Sequence, residues 1–280
     1  MHENYNVDKL EFVGEIMKKR ACVFMFSGTG LTSYVVSKIQ SELEKMDMSL
    51  DVCIIEKTNI REIQIQDYDM IGIAYPVHAF NAPKIVIDFV KQLPNSKRLK
   101  AFILSSAGDK SFINFASSNK LTQILQKKNY DVFYNKQFVM PCNFIIKNDE
   151  KTVTERLNVI SKEAVLTANA ICDTNDYKMS PNFIAKLFSL IGRIEWITAK
   201  GMSKYFYTDN QCDSCLHCVN LCPNKNITPV EESITFGKNC GLCMRCIYNC
   251  PRSAIKIRGV CKFFSIGSWY ENDDIKYKVQ

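Results

Sequence analysis

The N-terminal part of the chain alternates short apolar runs with amphipathic stretches. Such runs predict buried strands of a parallel sheet, because these strands are covered on both faces and need no polar positions. Strands are expected at ACVFMF (21–26), LDVCII (50–55), MIGIAY (70–75), AFILSS (101–106) and QFVMP (137–141). Helices are expected between them, at 32–47, 82–93, 111–128 and 150–172. This alternation predicts an α/β fold, a doubly wound five-stranded parallel sheet with helices on both faces.

The pattern changes after residue 173. The stretch 173–181 is polar and turn-rich, which is typical of a domain end. A helical stripe of apolar residues follows at steps of four and three, formed by Phe183, Leu187, Leu190, Ile194 and Ile197. Basic residues follow another face of the same stretch: Lys186, Arg193, Lys200 and Lys204. We expect this helix to dock one domain on the other; the alternative is a basic amphipathic surface for an acidic partner or a membrane.

Composition adds a strong constraint through cysteine. The chain has 280 residues, which is natural for two domains, and 13 cysteines. The start of the chain lacks an export-signal pattern, and no run of about 20 apolar residues predicts a membrane span. The chain is therefore expected to be cytoplasmic and to use clustered cysteines for metal binding rather than for disulfides. Five scattered cysteines are interpreted as small buried apolar residues: Cys22, Cys53, Cys142, Cys172 and Cys261.

The other eight cysteines form a repeat. CDSCLHCVNLCP begins at Cys212 and CGLCMRCIYNCP at Cys240, so both have the frame C-x2-C-x2-C-x3-C-P. Thiolates are soft ligands for iron–sulfur clusters and zinc, but zinc sites usually combine two C-x2-C pairs or a pair with histidines. In this frame the fourth cysteine, before proline, ligates the other cluster. The predicted ligands are Cys212, Cys215, Cys218 and Cys250 for one [4Fe–4S] cluster, and Cys222, Cys240, Cys243 and Cys246 for the second.

The crossed ligation predicts that both halves fold as one unit, since neither half completes its own cluster. His217 lies inside the first run and is expected to be a spacer, because cysteines already supply all eight ligands. The segment 206–262 resembles the bacterial two-cluster ferredoxins at every ligand position. The resemblance implies a small α+β domain.

A hydroxyl-rich loop, FSGTGLTSY (26–34), follows the first predicted strand and opens the first helix. It matches neither the G-x-G-x-x-G dinucleotide pattern nor a Walker loop. Its hydroxyls, on Ser27, Thr29 and Thr32, can converge on one phosphate together with the backbone amides and the positive end of the helix. A ligand with a single phosphate fits this loop better than a pyrophosphate.

This loop resembles the FMN-phosphate loop of flavodoxins. The chain as a whole resembles the fused flavodoxin–ferredoxin proteins of anaerobic bacteria over residues 18–262. The resemblance implies FMN bound by three loops: Ser27, Gly28, Thr29, Gly30, Leu31 and Thr32 in the first; Tyr75, Pro76, Val77, His78, Phe80 and Asn81 in the second; Ser105, Ser106, Ala107, Gly108 and Asp109 in the third. The third loop has no aromatic residue, so Phe80 or Tyr75 would stack on the flavin. His78 is expected to pack against the flavin edge, and the alternative is proton delivery.

These assignments divide the chain into an extension (1–17), an FMN domain (18–173), a linker with a docking helix (174–205), a two-cluster domain (206–262) and a tail (263–280). The expected function is electron transfer between the clusters and FMN, with redox proteins as partners. One alternative is an iron–sulfur flavoprotein oxidoreductase that reduces a small substrate. Another is a ferredoxin whose flavodoxin-like domain has lost FMN and serves for docking.

The formal charge of +7 does not indicate a nucleic-acid-binding protein. Two clusters with their thiolates would contribute about −2 each, and a flavin phosphate about −2 more. The loaded protein would then carry about +1. The sequence leaves the oligomeric state, the electron donor and the electron acceptor open.

Overall fold

The computed structural model describes residues 18–142, 148–231 and 233–258. The predicted extension (1–17), the tail (263–280) and the last residues of the predicted two-cluster domain (259–262) lie outside the described residues. We call residues 18–178 the sheet unit, residues 183–205 the joining helices, and residues 206–258 the cysteine unit.

The sheet unit is built on a six-stranded parallel sheet. All five predicted strands are present, but the fifth was predicted too late: it begins at Asp131 rather than at 137. The strand order β2-β1-β3-β4-β5-β6 is that of a doubly wound fold. The predicted number of five is wrong by one, because the sixth strand is a two-residue exposed segment with no apolar run. The strands are β1 (Lys19–Met25), β2 (Met48–Ile54), β3 (Met70–Pro76), β4 (Lys100–Ala107), β5 (Asp131–Val139) and β6 (Tyr177–Lys178).

Helices cover both faces of this sheet, as predicted. They are α1 (Leu31–Glu44), α2 (Lys84–Gln92), α3 (Asn119–Lys127) and α4 (Glu150–Cys172). Helices α1 and α4 pack in one core with Ala21 and Val23 of β1, and α2 and α3 pack in the other with Cys22 and Phe24. Successive strand residues point to opposite faces, so one strand supplies both cores. The helix expected at 111–128 is divided into a 3-10 turn (Phe112–Ala116) and α3.

The joining helices are α5 (Phe183–Gly192) and α6 (Glu195–Met202). Helix α5 docks on the sheet unit through small residues rather than through the apolar stripe: Ala185 and Ser189 are buried, and a Cβ atom on Gly192 would overlap the carbonyl oxygen of Ala79. Small side chains allow the helix backbone to approach closely. The apolar stripe that we expected at the contact is therefore exposed.

The cysteine unit contains short elements around a small apolar core. They are β7 (Phe206–Thr208), α7 (His217–Leu221), β8 (Ile227–Val230), β9 (Ser233–Phe236), α8 (Arg245–Tyr248) and β10 (Ile255–Ile257). Strand β7 pairs antiparallel with β10, and β8 with β9. Phe206, Ile227, Ile234, Ile247 and Ile255 form the core, against which several cysteines pack. No helix in the described parts of the chain has the length and apolarity needed to cross a membrane.

Candidate functional site

The two cysteine runs have the same backbone conformation. Positive φ angles occur at Ser214 and Leu216 in the first run and, 28 positions later, at Leu242 and Met244 in the second. Helices α7 and α8 also begin 28 positions apart. A positive φ is uncommon for residues other than glycine, so its repetition at matched positions indicates two copies of one tight loop. The sequence repeat is thus also a structural repeat.

Each predicted set of four cysteines lines its own small cavity. Cys212, Cys215, Cys218 and Cys250 line one cavity, together with Ile234 and Ile255. Cys222, Cys240, Cys243 and Cys246 line the other, together with Phe206, Ile227 and Phe236. The fourth cysteine of each run therefore lies with the first three cysteines of the other run. Within the described ranges, no three His, Cys, Asp or Glu side chains are placed to hold a single metal ion.

Burial disfavours the deprotonated form of the cysteines in these sets. It raises the pKa of Cys218 to about 11 and that of Cys243 to about 12, and it places the pKa of Cys246 well above the ordinary value. Neighbouring cysteines raise these pKa values further, because thiolates close together repel one another. Metal ligation requires the deprotonated form, so positive charge from a bound group would have to compensate these sulfurs.

A backbone amide donates a hydrogen bond to the sulfur of the fourth cysteine in each run, which stabilises negative charge on that sulfur. The N–H of Asn226 donates to Cys222 Sγ at 3.2 Å, and the N–H of Ala254 donates to Cys250 Sγ at 3.3 Å. These donors occupy equivalent positions in the two halves. Hydrogen bonds to cluster sulfurs are among the features that set cluster potential. The repeat therefore extends from ligand spacing to the immediate surroundings of the sulfurs.

The sheet unit brings the three predicted flavin loops to one edge. The N–H of Val77 in the second loop donates to the carbonyl of Ser106 in the third at 2.8 Å. The hydroxyls of Thr32 in the first loop and Ser106 in the third share a buried hydrogen bond of 2.8 Å. Parallel strands end at the same edge of a sheet, which explains why sequence order predicts this meeting point.

The first loop keeps features of an anion site. Gly30 has a φ of 99° and precedes α1, which has no side-chain cap and no acidic residue in its first turn. Ser27 Oγ accepts from the amides of Gly30 at 3.2 Å and Ser33 at 3.4 Å. A Cβ atom on Gly28 would overlap the carbonyl oxygen of Cys243. The loop thus presents a helix N-terminus while touching the second cysteine set.

The second loop is covered by helix α5. The rings of Phe80 and Phe188 meet edge to face with centroids 5.3 Å apart. Asn81 Nδ2 donates to the carbonyl of Ser189 at 2.7 Å, and Ser189 Oγ donates to Asn81 Oδ1 at 2.8 Å. Tyr75 is fully buried. Loss of solvent lowers the pKa of His78 to about 4, so this imidazole is neutral near pH 7.

The third loop is held from the side of α4. Arg156 Nη1 donates to the carbonyls of Gly108 and Met140, both at 2.8 Å. Asp109 Oδ1 accepts from the N–H of Ser111 at 2.7 Å and from Asn114 Nδ2 at 3.0 Å. The acceptors of this loop therefore have partners within the sheet unit.

Arg245, which the sequence does not single out, joins the two units. Its side chain is buried and forms an ion pair with Glu56 at 2.5 Å. Its Nη2 donates to the carbonyl of Ser27 at 2.7 Å, and its guanidinium lies over the Phe26 ring. The only signal in the sequence is that a basic residue occupies the second run where the first has His217. Its contact with the first predicted flavin loop could not be deduced from the cysteine pattern.

A cavity of about 330 Å³ lies between the sheet unit, α6 and the cysteine unit. Phe26, His78, Lys84 and Trp196 line it beside Cys240 and Cys243. Burial raises the pKa of the lining residue Glu195 to about 7. The cavity adjoins the second cysteine set and shares Cys240, Gly241 and Cys243 with the wall of the small cavity that the set lines.

Neither family models nor curated proteins match the chain. Solved structures match its N-terminal part, and these neighbours are flavodoxin-like folds. One is the flavodiiron core of Flv1 from Synechocystis sp. PCC6803, with 14% identity and a TM-score of 0.40, covering 57% of this chain and 38% of that one. Another is flavodoxin 2 from Bacillus cereus, with 13% identity and a TM-score of 0.39, covering 56% and 99%. A third is the flavodoxin of Megasphaera elsdenii, with 17% identity and a TM-score of 0.37, covering 52% and 98%.

Proposed function

We propose that the protein transfers electrons through two [4Fe–4S] clusters held in the cysteine unit. The observation that supports this most strongly is the separation of eight cysteines into two crossed sets, each around its own cavity. This is the ligand pattern of two-cluster ferredoxins. The proposed first site uses Cys212, Cys215, Cys218 and Cys250. The proposed second site uses Cys222, Cys240, Cys243 and Cys246.

The chain's own residues would hold each cluster in place and shield it in part from solvent, since Cys215 is exposed and the other seven cysteines are partly buried. The apolar side chains of Phe206, Ile234, Ile247 and Ile255 pack around the cysteines and limit contact with water. Solvent exclusion and amide-to-sulfur hydrogen bonds both influence the reduction potential. Bound clusters would supply one-electron storage, and FMN would supply one- and two-electron chemistry.

The proposal includes FMN at the three loops of the sheet unit. The backbone amides at the N-terminus of α1 suit a phosphate, because they are donors at the positive end of a helix, although Ser27 Oγ occupies those of Gly30 and Ser33 and would have to release them. The flavin ring would have to share the second loop with Phe188 of α5, which already packs on Phe80. The phosphate end therefore fits FMN better than the ring end does, and the alternative of a docking domain without FMN keeps support from the same contacts.

The interdomain cavity supports a second candidate, an oxidoreductase that reduces a small substrate. Its volume of about 330 Å³ is at the lower end of the range for ligand pockets. Cys240 and Cys243 lie in its wall, so a bound molecule would sit beside the proposed second cluster. Lys84 and Lys200 are the cationic residues of its wall, and Asp88, the ion-pair partner of Lys84, lies in the same wall, as does the aromatic ring of Trp196. A substrate that binds here should change the fluorescence of Trp196, which lines the cavity.

An anaerobic reductive titration tests the proposed function. We expect the purified protein to accept about two electrons per chain if only clusters are present, and about four if FMN is also bound. Acid-released flavin, measured before and after incubation with FMN, separates these two outcomes. Uptake of two electrons with no flavin retained would favour the docking-domain alternative. A colourless protein that accepts no electrons would contradict the electron-transfer function itself.

A further inference from the structure

The joining helices expose most of their large apolar side chains, although Trp196 packs against the core of the sheet unit and Phe188 packs on Phe80. Phe183 is 78% exposed, Leu190 59% and Ile197 75%. Ile184, Leu187, Ile191 and Ile194 are exposed as well. The buried positions of α5 are Ala185 and Ser189. An ordinary surface helix buries its large apolar residues, whereas this helix buries small residues and exposes the large apolar ones. We call this exposed apolar set the outer stripe.

The outer stripe contains more neighbouring exposed apolar residues than a soluble protein surface usually has. Isolated exposed apolar residues are normal in soluble proteins, but a contiguous large patch usually marks an interaction site. Here the patch runs from Phe183 to Ile197 along two consecutive helices joined by αR residues. Docking to the sheet unit is already achieved by the small-residue face. The stripe is therefore available to something other than this contact.

Charge indicates which kind of partner the stripe fits. Residues 183–204 contain four basic residues, Lys186, Arg193, Lys200 and Lys204, and one acidic residue, Glu195. Lys186, Lys200 and Lys204 are exposed. Lys186 and Arg193 are seven positions apart, about two helical turns, and so lie along one flank of the stripe. An apolar face bordered by lysines is the pattern of helices that lie in the interface of an anionic bilayer.

We propose that the joining helices bind the protein to an anionic membrane surface. The outer stripe would enter the boundary between headgroups and acyl chains, and the lysine flank would face the anionic headgroups. Long lysine side chains can keep their charge at headgroup level while their stems follow the apolar surface. This mode places the protein on the membrane without any spanning helix. Neither the cysteine sets nor the flavin loops are needed for it.

Vesicle flotation of the full chain under anaerobic conditions tests this proposal. The probes are vesicles of phosphatidylcholine alone and vesicles of equal parts phosphatidylcholine and phosphatidylglycerol. We expect binding to the anionic vesicles that weakens as salt is raised, because surface charges are screened. Lys186→Gln with Lys200→Gln should weaken this binding about 25-fold, since each basic residue near an anionic surface contributes about fivefold. Binding to phosphatidylcholine alone should be weak.

A matched pair of variants assigns the binding to the outer stripe. Leu190→Gln with Ile197→Gln should lower binding about tenfold or more, because two apolar side chains no longer enter the bilayer. Leu166→Gln is the control, since Leu166 on α4 is as exposed as Leu190, at 65%. It should bind like the wild type. Equal iron content in all variants would show that they are folded.

Three results would overturn the proposal. One is a wild-type protein that stays in solution with both kinds of vesicle. Another is unchanged vesicle binding by the Leu190→Gln, Ile197→Gln variant, which would place the binding surface elsewhere. The third is a dimer in analytical ultracentrifugation that this variant dissociates while vesicles bind nothing, which would make a second copy of the chain the partner of the stripe.

Discussion

Replacing Cys250 by alanine is expected to destroy the site formed with Cys212, Cys215 and Cys218, and to spare the site formed around Cys240. Cys250 follows the second run in sequence but lines the cavity of the first run. Removing one of four cysteines leaves a cluster without a ligand at one iron. The iron content should therefore fall from about eight to about four per chain if the damaged cluster is lost.

Two double variants reveal which site is lost. If ligation is crossed, adding Cys215→Ala to Cys250→Ala removes a second ligand from the same damaged site, and about four irons should remain. Adding Cys243→Ala instead damages the other site, and almost no iron should remain. If ligation is not crossed, the variant with Cys215→Ala should lose almost all its iron, and the variant with Cys243→Ala should keep about four irons. Cys172→Ala is the control, because Cys172 lies at the end of α4 against methionines and should keep all the iron.

Replacing Arg245 by alanine is expected to lower the free energy of unfolding by about 3–5 kcal/mol, the usual cost of breaking a buried ion pair. The change leaves Glu56 buried without its ion-pair partner Arg245 and removes the hydrogen bond to the carbonyl of Ser27. Because these groups lie on different units, the loss should also loosen the contact between them. Denaturation midpoints, together with the rate of limited proteolysis between the units, measure the two effects.

Two further variants separate this interdomain role from a general effect on the cysteine unit. Arg252→Ala breaks an exposed pair with Asp213 in the same unit and should cost at most about 1 kcal/mol. Adding Glu56→Gln to Arg245→Ala removes the negative charge of the buried Glu56 carboxylate and should recover part of the lost free energy of unfolding. If Arg245→Ala proves no more destabilising than Arg252→Ala, the ion pair does not hold the units together. No recovery with Glu56→Gln would also argue against the buried carboxylate charge as the cause.

Most elements of the sheet unit were predictable because each depends on the pattern of apolar residues within its own stretch of sequence. Uninterrupted apolar runs such as 70–75 are typical of buried parallel strands, and the helix expected at 150–172 has those bounds in the structure. The helix at 111–128 was predicted too long because residues 112–116 form a 3-10 turn, after which the carbonyl of the buried Ser117 accepts from the N–H of Ala82 at 3.1 Å. Strand β6 has neither the length nor the apolarity to give a signal.

The contacts between units were not predictable from one sequence. The apolar stripe was expected to dock because burial normally selects large apolar residues, yet Ala185, Ser189 and Gly192 make the contact. Which face of a helix docks depends on the shape of the surface it meets, here the backbone of the second loop. Arg245 lies among cysteines whose spacing predicts the proposed cluster sites but carries no information about Glu56. Cysteine spacing is a local property of the sequence, whereas the placement of one unit on another is not.

The most direct test of the central claim is the amount of iron and acid-labile sulfide in the wild-type protein after anaerobic purification. Two [4Fe–4S] clusters predict about eight of each per chain, with no stoichiometric zinc. Each cubane carries equal numbers of iron and sulfide, so the two values should rise in parallel during reconstitution. One zinc per chain, or about four irons with four sulfides after full reconstitution, would contradict the two-cluster account.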